Sequence, residues 1–325
     1  MRPVLGIALQ AELARVLRAL LVGRGALLQG TLVQSTLVLG ARILGILTLG
    51  SLILGSLAAS AGEPKPQPQV LDFGQITQSQ PKLLKAEVGK LTPHRKGETD
   101  VYAVGIAGWP MDVFVKEVNG GLAVIGTMLP IKNRTLRLIN HPATVATVPL
   151  ATEENFAAAI HAVGSVMDKM NDVLVLLMTS HGDRKGFGLQ PPLTTLELTP
   201  AKVATTLDHE GIKYRVVIIS ACFSGNFVPP LQNDSTIVMT AADANHTSFG
   251  CAPENDWTYF GDAFFRQSLQ PGTDFQSAFD HARILIEGWE MMDRAPPSNP
   301  QGSFGPTVVA KLAPFFAGAR ASQGQ

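Results

Sequence analysis

Two apolar runs, Val173-Leu-Val-Leu-Leu-Met-Thr-Ser-His-Gly182 and Arg215-Val-Val-Ile-Ile-Ser-Ala-Cys-Phe-Ser-Gly225, do most to limit how this chain can fold. Val173 to Met178 and Val216 to Ile219 are apolar at every position. A strand that is apolar on both faces must be covered on both, which is the condition of a parallel strand inside an α/β sheet. Each run then gives way to small residues and glycine, as a chain does when it turns sharply off a sheet edge. One turn carries His181 and Gly182, the other Cys222. Open α/β sheets bind their ligands at the carboxyl ends of their strands. If these two strands are parallel neighbours, an imidazole and a thiol finish side by side.

The rest of the chain alternates in the same sense. Val101 to Ile106 predicts a strand closed by the turn Ala107-Gly108-Trp109-Pro110, and Asp112 to Val118 opens a helix with Val113, Phe114 and Val118 apolar. Thr135 to Ile139 predicts a second strand. Thr152 caps a helix whose first turn carries Glu153 and Glu154, suited to the helix dipole. Phe156, Ile160, Val163, Met167 and Met170 are spaced as its sheet-facing stripe. Residues 183–198, with two glycines and two prolines, are expected to be a loop. Thr199-Pro200 starts the next helix, which ends near Gly211. Thr236 to Thr240 is a further strand, and Trp257 to Leu269 and Phe275 to Met292 are two more helices. Strands alternating with helices predict an α/β fold with a mostly parallel sheet, in one domain over residues 100–318. Residues 63–99, opening with Glu63-Pro-Lys-Pro-Gln-Pro-Gln69, are expected to be a linker and an irregular lead-in.

Composition narrows the function. The formal charge is zero at pH 7 over 325 residues, so no basic face for nucleic acid is expected. Cys222 and Cys251 are the only cysteines, which is no disulfide framework, and neither has a second ligand at zinc spacing. No metal or other cofactor is expected. Residues 1–62 differ in composition from the remainder of the chain. Their basic residues are Arg2, Arg15, Arg18, Arg24 and Arg42, and Ile43 to Ala61 is uncharged and long enough to span a bilayer as a helix. Arginines on its amino side direct the carboxyl-terminal domain across the membrane, and Ala59-Ser60-Ala61 suits signal-peptide cleavage. A cleaved leader and a retained membrane anchor both fit. Either leaves the domain exported or membrane-tethered on the non-cytoplasmic side, periplasmic or extracellular in a bacterium.

Thr179-Ser-His-Gly182 and Ser220-Ala-Cys-Phe-Ser-Gly225, continued by Thr240-Ala-Ala-Asp-Ala-Asn-His-Thr-Ser-Phe-Gly-Cys251 and Trp257-Thr-Tyr-Phe-Gly-Asp262, resemble the legumain-like cysteine peptidases of the C13 family. That family also includes the catalytic subunit of the GPI-anchor transamidase. The resemblance runs from about residue 100 to 310 and is nearest the family's bacterial exported or membrane-associated branch. It implies a caspase-like αβα sandwich, a polypeptide substrate, His181 as catalytic histidine and Cys222 as nucleophile. The backbone amides of Gly182 and Cys222 would form the oxyanion hole. Chemistry supports these roles independently: a free thiol is only a few per cent ionised at neutral pH, and a facing imidazole lets it attack as thiolate, then protonates the leaving amine.

Two departures bear on specificity. Asparagine-specific members carry glutamate two residues before the cysteine, where this chain has Ser220, and their pocket arginine has no match here. Their pocket serine and aspartate match Ser248 and Asp262. A preference for asparagine or aspartate before the scissile bond is therefore weakened. Three activities are compatible with the resemblance: an endopeptidase acting through a Cys222 thioester, a transamidase using an amine in place of water, and a caspase-like module that has lost catalysis and serves in binding.

Overall fold

The computed structural model describes residues 72–192 and 195–321. The first element is α1 (Phe73–Val88), in the stretch expected to be irregular. A reciprocal capping box forms it: Asp72 accepts from the Gln75 N–H at 2.8 Å while the Gln75 side chain accepts from the Asp72 N–H. Pro81 within the helix and the scarcity of apolar residues hide its period from a sequence reading. Ile76 is buried, Leu84 and Val88 pack on the core, and Gln80 accepts the Leu150 N–H at 2.7 Å. The packed domain thus begins well before residue 100. The leader or anchor expected over residues 1–62 lies outside the described residues. Among the described residues, no helix is long and apolar enough to cross a membrane.

The chain then runs β1 (Val101–Ala107), α2 (Asp112–Gly126), β2 (Thr135–Ile139), α3 (Glu153–Val166), β3 (Val173–Thr179), the hairpin β4 (Phe187–Leu189) and β5 (Leu196–Leu198), α4 (Pro200–His209) and β6 (Tyr214–Ser220). After a 3₁₀ turn, Ser224–Phe227, come α5 (Val228–Leu231), β7 (Thr236–Thr240), α6 (Tyr259–Gly261) with a π-helical continuation Asp262–Ser268, α7 (Phe275–Asp293), β8 (Gln301–Phe304) and α8 (Pro306–Ala321). The main sheet has the order β2-β1-β3-β6-β7-β8, parallel except for the last pair.

Because side chains alternate along a strand, the two sheet faces build two cores. Val173, Val175 and Leu177, with Val216 and Ile218, meet α2, α7, α8 and the π-helical turn on one face. Leu174, Leu176 and Met178, with Val217 and Ile219, meet α3 and α4 on the other. The result is a three-layer αβα sandwich with a mostly parallel sheet, as the sequence predicts. The first face is rich in phenylalanine: Phe264 lies edge-on to Phe265 at 5.0 Å and Phe275 to Phe316 at 5.2 Å. Such pairs contribute about 0.5–1.5 kcal/mol each beyond area burial.

Three sequence expectations are corrected. Met170 does not join the α3 stripe; the helix ends at Val166 and Met170 is exposed, because Met167 turns to extended backbone. The loop over 183–198 contains the β4–β5 hairpin, whose strands are too short for periodicity to reveal. The helix expected over 257–269 begins at Tyr259 and widens into a π-helical turn.

At the amino ends of β1 and β3, buried Asp100 and Asp172 gather with His94. Asp100 pairs with Arg95 at 2.7 Å and Arg134 at 3.2 Å, while Asp172 accepts the Asp100 N–H at 2.8 Å. The arginines hold the Asp100 carboxyl below its usual range against the opposing effect of burial. This charge-balanced network ties the sheet together at the end opposite the His181 and Cys222 turns.

Candidate active site

β3 and β6 pair in parallel with Thr179 opposite Ser220. His181 and Cys222 come two residues beyond that matched pair, one on each chain segment. The Ser180 N–H donates to the Ser220 carbonyl at 3.1 Å, so the pairing continues into the turns. Gly182 then crosses directly over the nucleophile turn. A Cβ there would lie 2.3 Å from the Cys222 carbonyl oxygen and 3.2 Å from the Ala221 Cβ. Glycine is required by this approach, a reason independent of any role in binding a carbonyl.

The half-buried His181 ring lies edge-on to Trp109 at 5.1 Å and Phe114 at 5.2 Å between centroids. Burial disfavours the imidazolium and moves its pKa below the ordinary 6.5. The ring is therefore largely neutral at pH 7, the state a general base needs. Behind it, the Gly188 N–H donates to the His181 carbonyl at 2.9 Å, and the Ser180 hydroxyl donates to the Gly188 carbonyl at 2.7 Å. The β4–β5 hairpin thus backs the histidine.

Cys222 is partly exposed, and its Sγ accepts the Ser248 N–H at 3.3 Å. The thiol also lies 3.6 Å from the Ser248 carbonyl and 3.7 Å from its hydroxyl. No hydrogen bond among the described residues joins it to the His181 imidazole. Phe223, the next residue, is in the left-handed region at φ 56°, which costs an L residue about 1–2 kcal/mol. Its N–H donates to the His246 carbonyl at 2.9 Å, its carbonyl accepts the Asn226 N–H at 3.2 Å, and the Arg184 guanidinium sits 5.6 Å over its ring. His246 is in turn held to Asp243 at 2.7 Å. The strained turn is therefore braced by the loop that also touches the thiol.

The expected pocket residues separate. Ser248 touches the thiol. Ser220 is buried, its hydroxyl 3.1 Å from that of Thr258. The Asp262 carboxylate is engaged by Arg266 one helical turn on, and by Gln267 at 3.2 Å. None of its side-chain hydrogen bonds reaches the Cys222 turn. Cys251 is half-buried, its thiol pushed up chiefly by burial and then by the charge of Cys222.

A further acid, Glu117 on α2, escapes the sequence reading. It is fully buried, accepts the Thr179 hydroxyl at 2.9 Å and accepts the Thr258 N–H at 2.8 Å. Burial pushes its pKa up, while hydrogen bonds from Ser220, Thr258 and Thr179 oppose that rise. The signal was present: Glu117 interrupts the apolar stripe of Val113, Phe114, Val118, Leu122 and Ile125, where a solvated acid does not belong.

An αβα sandwich that presents a thiol and an imidazole at the ends of adjoining parallel strands has the layout of a cysteine peptidase. Residues 147–305 match the profile of the peptidase C13 family. No individual curated protein matches the chain in sequence. Among solved structures it is similar to a crystal structure of caspase-1 from Spodoptera frugiperda, at 12% identity and TM-score 0.47, over 66% of this chain and 93% of that one.

Proposed function

We propose that this protein is a cysteine endopeptidase in which Cys222 attacks the substrate carbonyl and His181 first takes, then returns, the proton. The observation that carries the reading is the matched delivery of both side chains: two residues beyond Thr179 and Ser220, on paired parallel strands. His181 accepts the thiol proton while neutral and donates it to the leaving amine once protonated. Water then resolves the Cys222 thioester. The thiol docks on Ser248 and must swing off it to reach a carbonyl, a rearrangement consistent with catalytic hydrogen bonds that tighten only around substrate. The backbone N–H groups of Gly182 and Cys222 donate to no partner among the described residues, which leaves both free for the oxyanion. Each such donor contributes about 3 kcal/mol to an acyl-transfer transition state.

Ser248 would border the pocket for the residue before the scissile bond, whereas Ser220 is buried with its hydroxyl on Thr258. With Asp262 committed to Arg266, selection for asparagine or aspartate there rests on little, and a peptide library varied at that residue measures it. The proposal includes export or membrane tethering of the domain through residues 43–61, motivated by their uncharged composition. Membrane fractionation with amino-terminal sequencing tests it. A transamidase uses the same pair of residues, and an added amine nucleophile distinguishes it by its amide product.

A second reading arises from the thiol's contact with Ser248 in place of His181: a catalytically silent binding module. A thiol-reactive probe decides. The peptidase reading expects Cys222 to be labelled at neutral pH and labelling to fall in His181→Ala. Absence of labelling in the folded protein favours the silent module.

A further inference from the structure

Glu117 lies outside the segment matched by the family profile, yet it sits behind both reactive side chains. Helix α2 carries it one turn after Phe114, whose ring contacts His181. Its carboxyl group accepts the hydroxyl of Thr179 and the N–H of Thr258, whose own hydroxyl lies 3.1 Å from that of Ser220. Thr179 and Ser220 are register partners, each two residues before a member of the reactive pair. The carboxylate also fixes the first turn of α6 through the Thr258 N–H. One buried group thus spans two strand ends and the helix that closes over them.

Among the described residues no cation pairs with Glu117. A fully buried carboxyl group without a counter-ion is tolerated only where hydrogen bonds replace its water. Nor is it a surface for substrate. The side chain is fully buried, and Gly261 packs so tightly that a Cβ there would stand 2.1 Å from Glu117 Oε2.

We propose that Glu117 is a positioning residue for the Cys222–His181 pair: by holding Thr179 directly and Ser220 through Thr258 from the helix layer, it sets the separation of imidazole and thiol. The proposal rests on the peptidase reading and deepens it. Glu117→Gln keeps the shape but turns one acceptor oxygen into a donor that faces Thr179 or Thr258, so the clamp opens without leaving a cavity.

The test is a double-mutant cycle on the full chain, read as the rate of iodoacetamide alkylation of Cys222 at pH 7, resolved by mass spectrometry, with thermal unfolding in parallel. His181→Ala is expected to slow alkylation by about tenfold or more, and Glu117→Gln by a similar factor. If Glu117 acts through the histidine, the double variant is no slower than the slower single one, since two groups working through one contact are not additive. Thr179→Val, which removes the donor, should behave as Glu117→Gln does, and Thr179→Ser should keep the wild-type rate. Multiplying effects in folded protein, or variants that unfold earlier yet alkylate at the wild-type rate, overturn the clamp. Should Glu117→Gln not fold, the Thr179 pair carries the same cycle with His181→Ala. Failure of the peptidase reading is separately visible: wild-type Cys222 would then alkylate no faster than Cys251 and be indifferent to His181→Ala, and the clamp falls with it.

Discussion

Gly182→Ala is the sharpest test of how the two turns meet. The added Cβ would stand 2.3 Å from the Cys222 carbonyl oxygen and 3.3 Å from the Cys222 carbonyl carbon, both backbone atoms. Ordinary contact begins near 3.4 Å, so the turns must part by about 1 Å, and no flexible side chain is there to give way. Overpacking of this kind costs about 1–3 kcal/mol. For a domain of this size, each kcal/mol lowers Tm by about 2–4 °C, so a fall of roughly 2–12 °C is expected. Activity should suffer more than stability. A misplacement of about 1 Å in a reacting pair costs on the order of 100-fold in rate, and the movement here lies between the imidazole-bearing and thiol-bearing turns. Differential scanning calorimetry and Cys222 alkylation at pH 7 on the same preparation measure both. An unchanged Tm together with wild-type alkylation would falsify the proposed crossing of Gly182 over the nucleophile turn.

Cys222→Ala should abolish peptide cleavage, whereas Cys251→Ser should retain it; an equal loss in both, measured on one fluorogenic peptide, argues against a unique nucleophile. Because burial lowers the His181 pKa, the acid limb of kcat/KM should fall below pH 6.5, and Trp109→Ala, which admits water to the ring, should move that limb upward. The same shift has a stability consequence. The native state binds fewer protons than the unfolded chain between the lowered pKa and 6.5, so this contribution is full above pH 6.5 and is lost as pH falls through that window; urea titrations of wild type and His181→Ala should diverge there. Asp100→Ala removes the carboxylate that faces the buried Arg134, which should cost about 3–5 kcal/mol, seen as a lower urea midpoint with alkylation of the folded protein unchanged.

Much of the fold was legible because the central strands are uniform. Val173–Thr179 and Tyr214–Ser220 are buried along nearly their whole length, and no other element of this chain suits such runs. What stayed hidden was short or polar. The α1 helix is held by a capping box and a few buried contacts instead of an apolar stripe. β8 reads Gln301-Gly-Ser-Phe304 and is half exposed; it joins the sheet as an antiparallel edge beside β7, a pairing that arises from tertiary packing and leaves no period in the sequence.

The site divides along the same line. The placement of its strand-borne candidates was legible, because a histidine, a cysteine and their glycines stand where a run of apolar residues stops. The groups around them come from other layers: Trp109 from the turn after β1, Phe114 and Glu117 from α2, Thr258 from the start of α6. On a helix that faces a core, Phe114 is indistinguishable from packing, and only Glu117 stands out, as an acid within an apolar stripe. Reading along the β6 strand, Ser220 is a lost carboxylate; in the folded chain a carboxylate stands within reach of Ser220 from the neighbouring helix. An acid supplied from behind the sheet is sealed from substrate, so it can set the geometry of the pair without selecting the residue to be cleaved. A chain built this way should discriminate weakly at that residue while keeping its thiol reactive. Glu117→Gln ought therefore to reduce turnover of every peptide in a library by a similar factor, leaving their rank order unchanged.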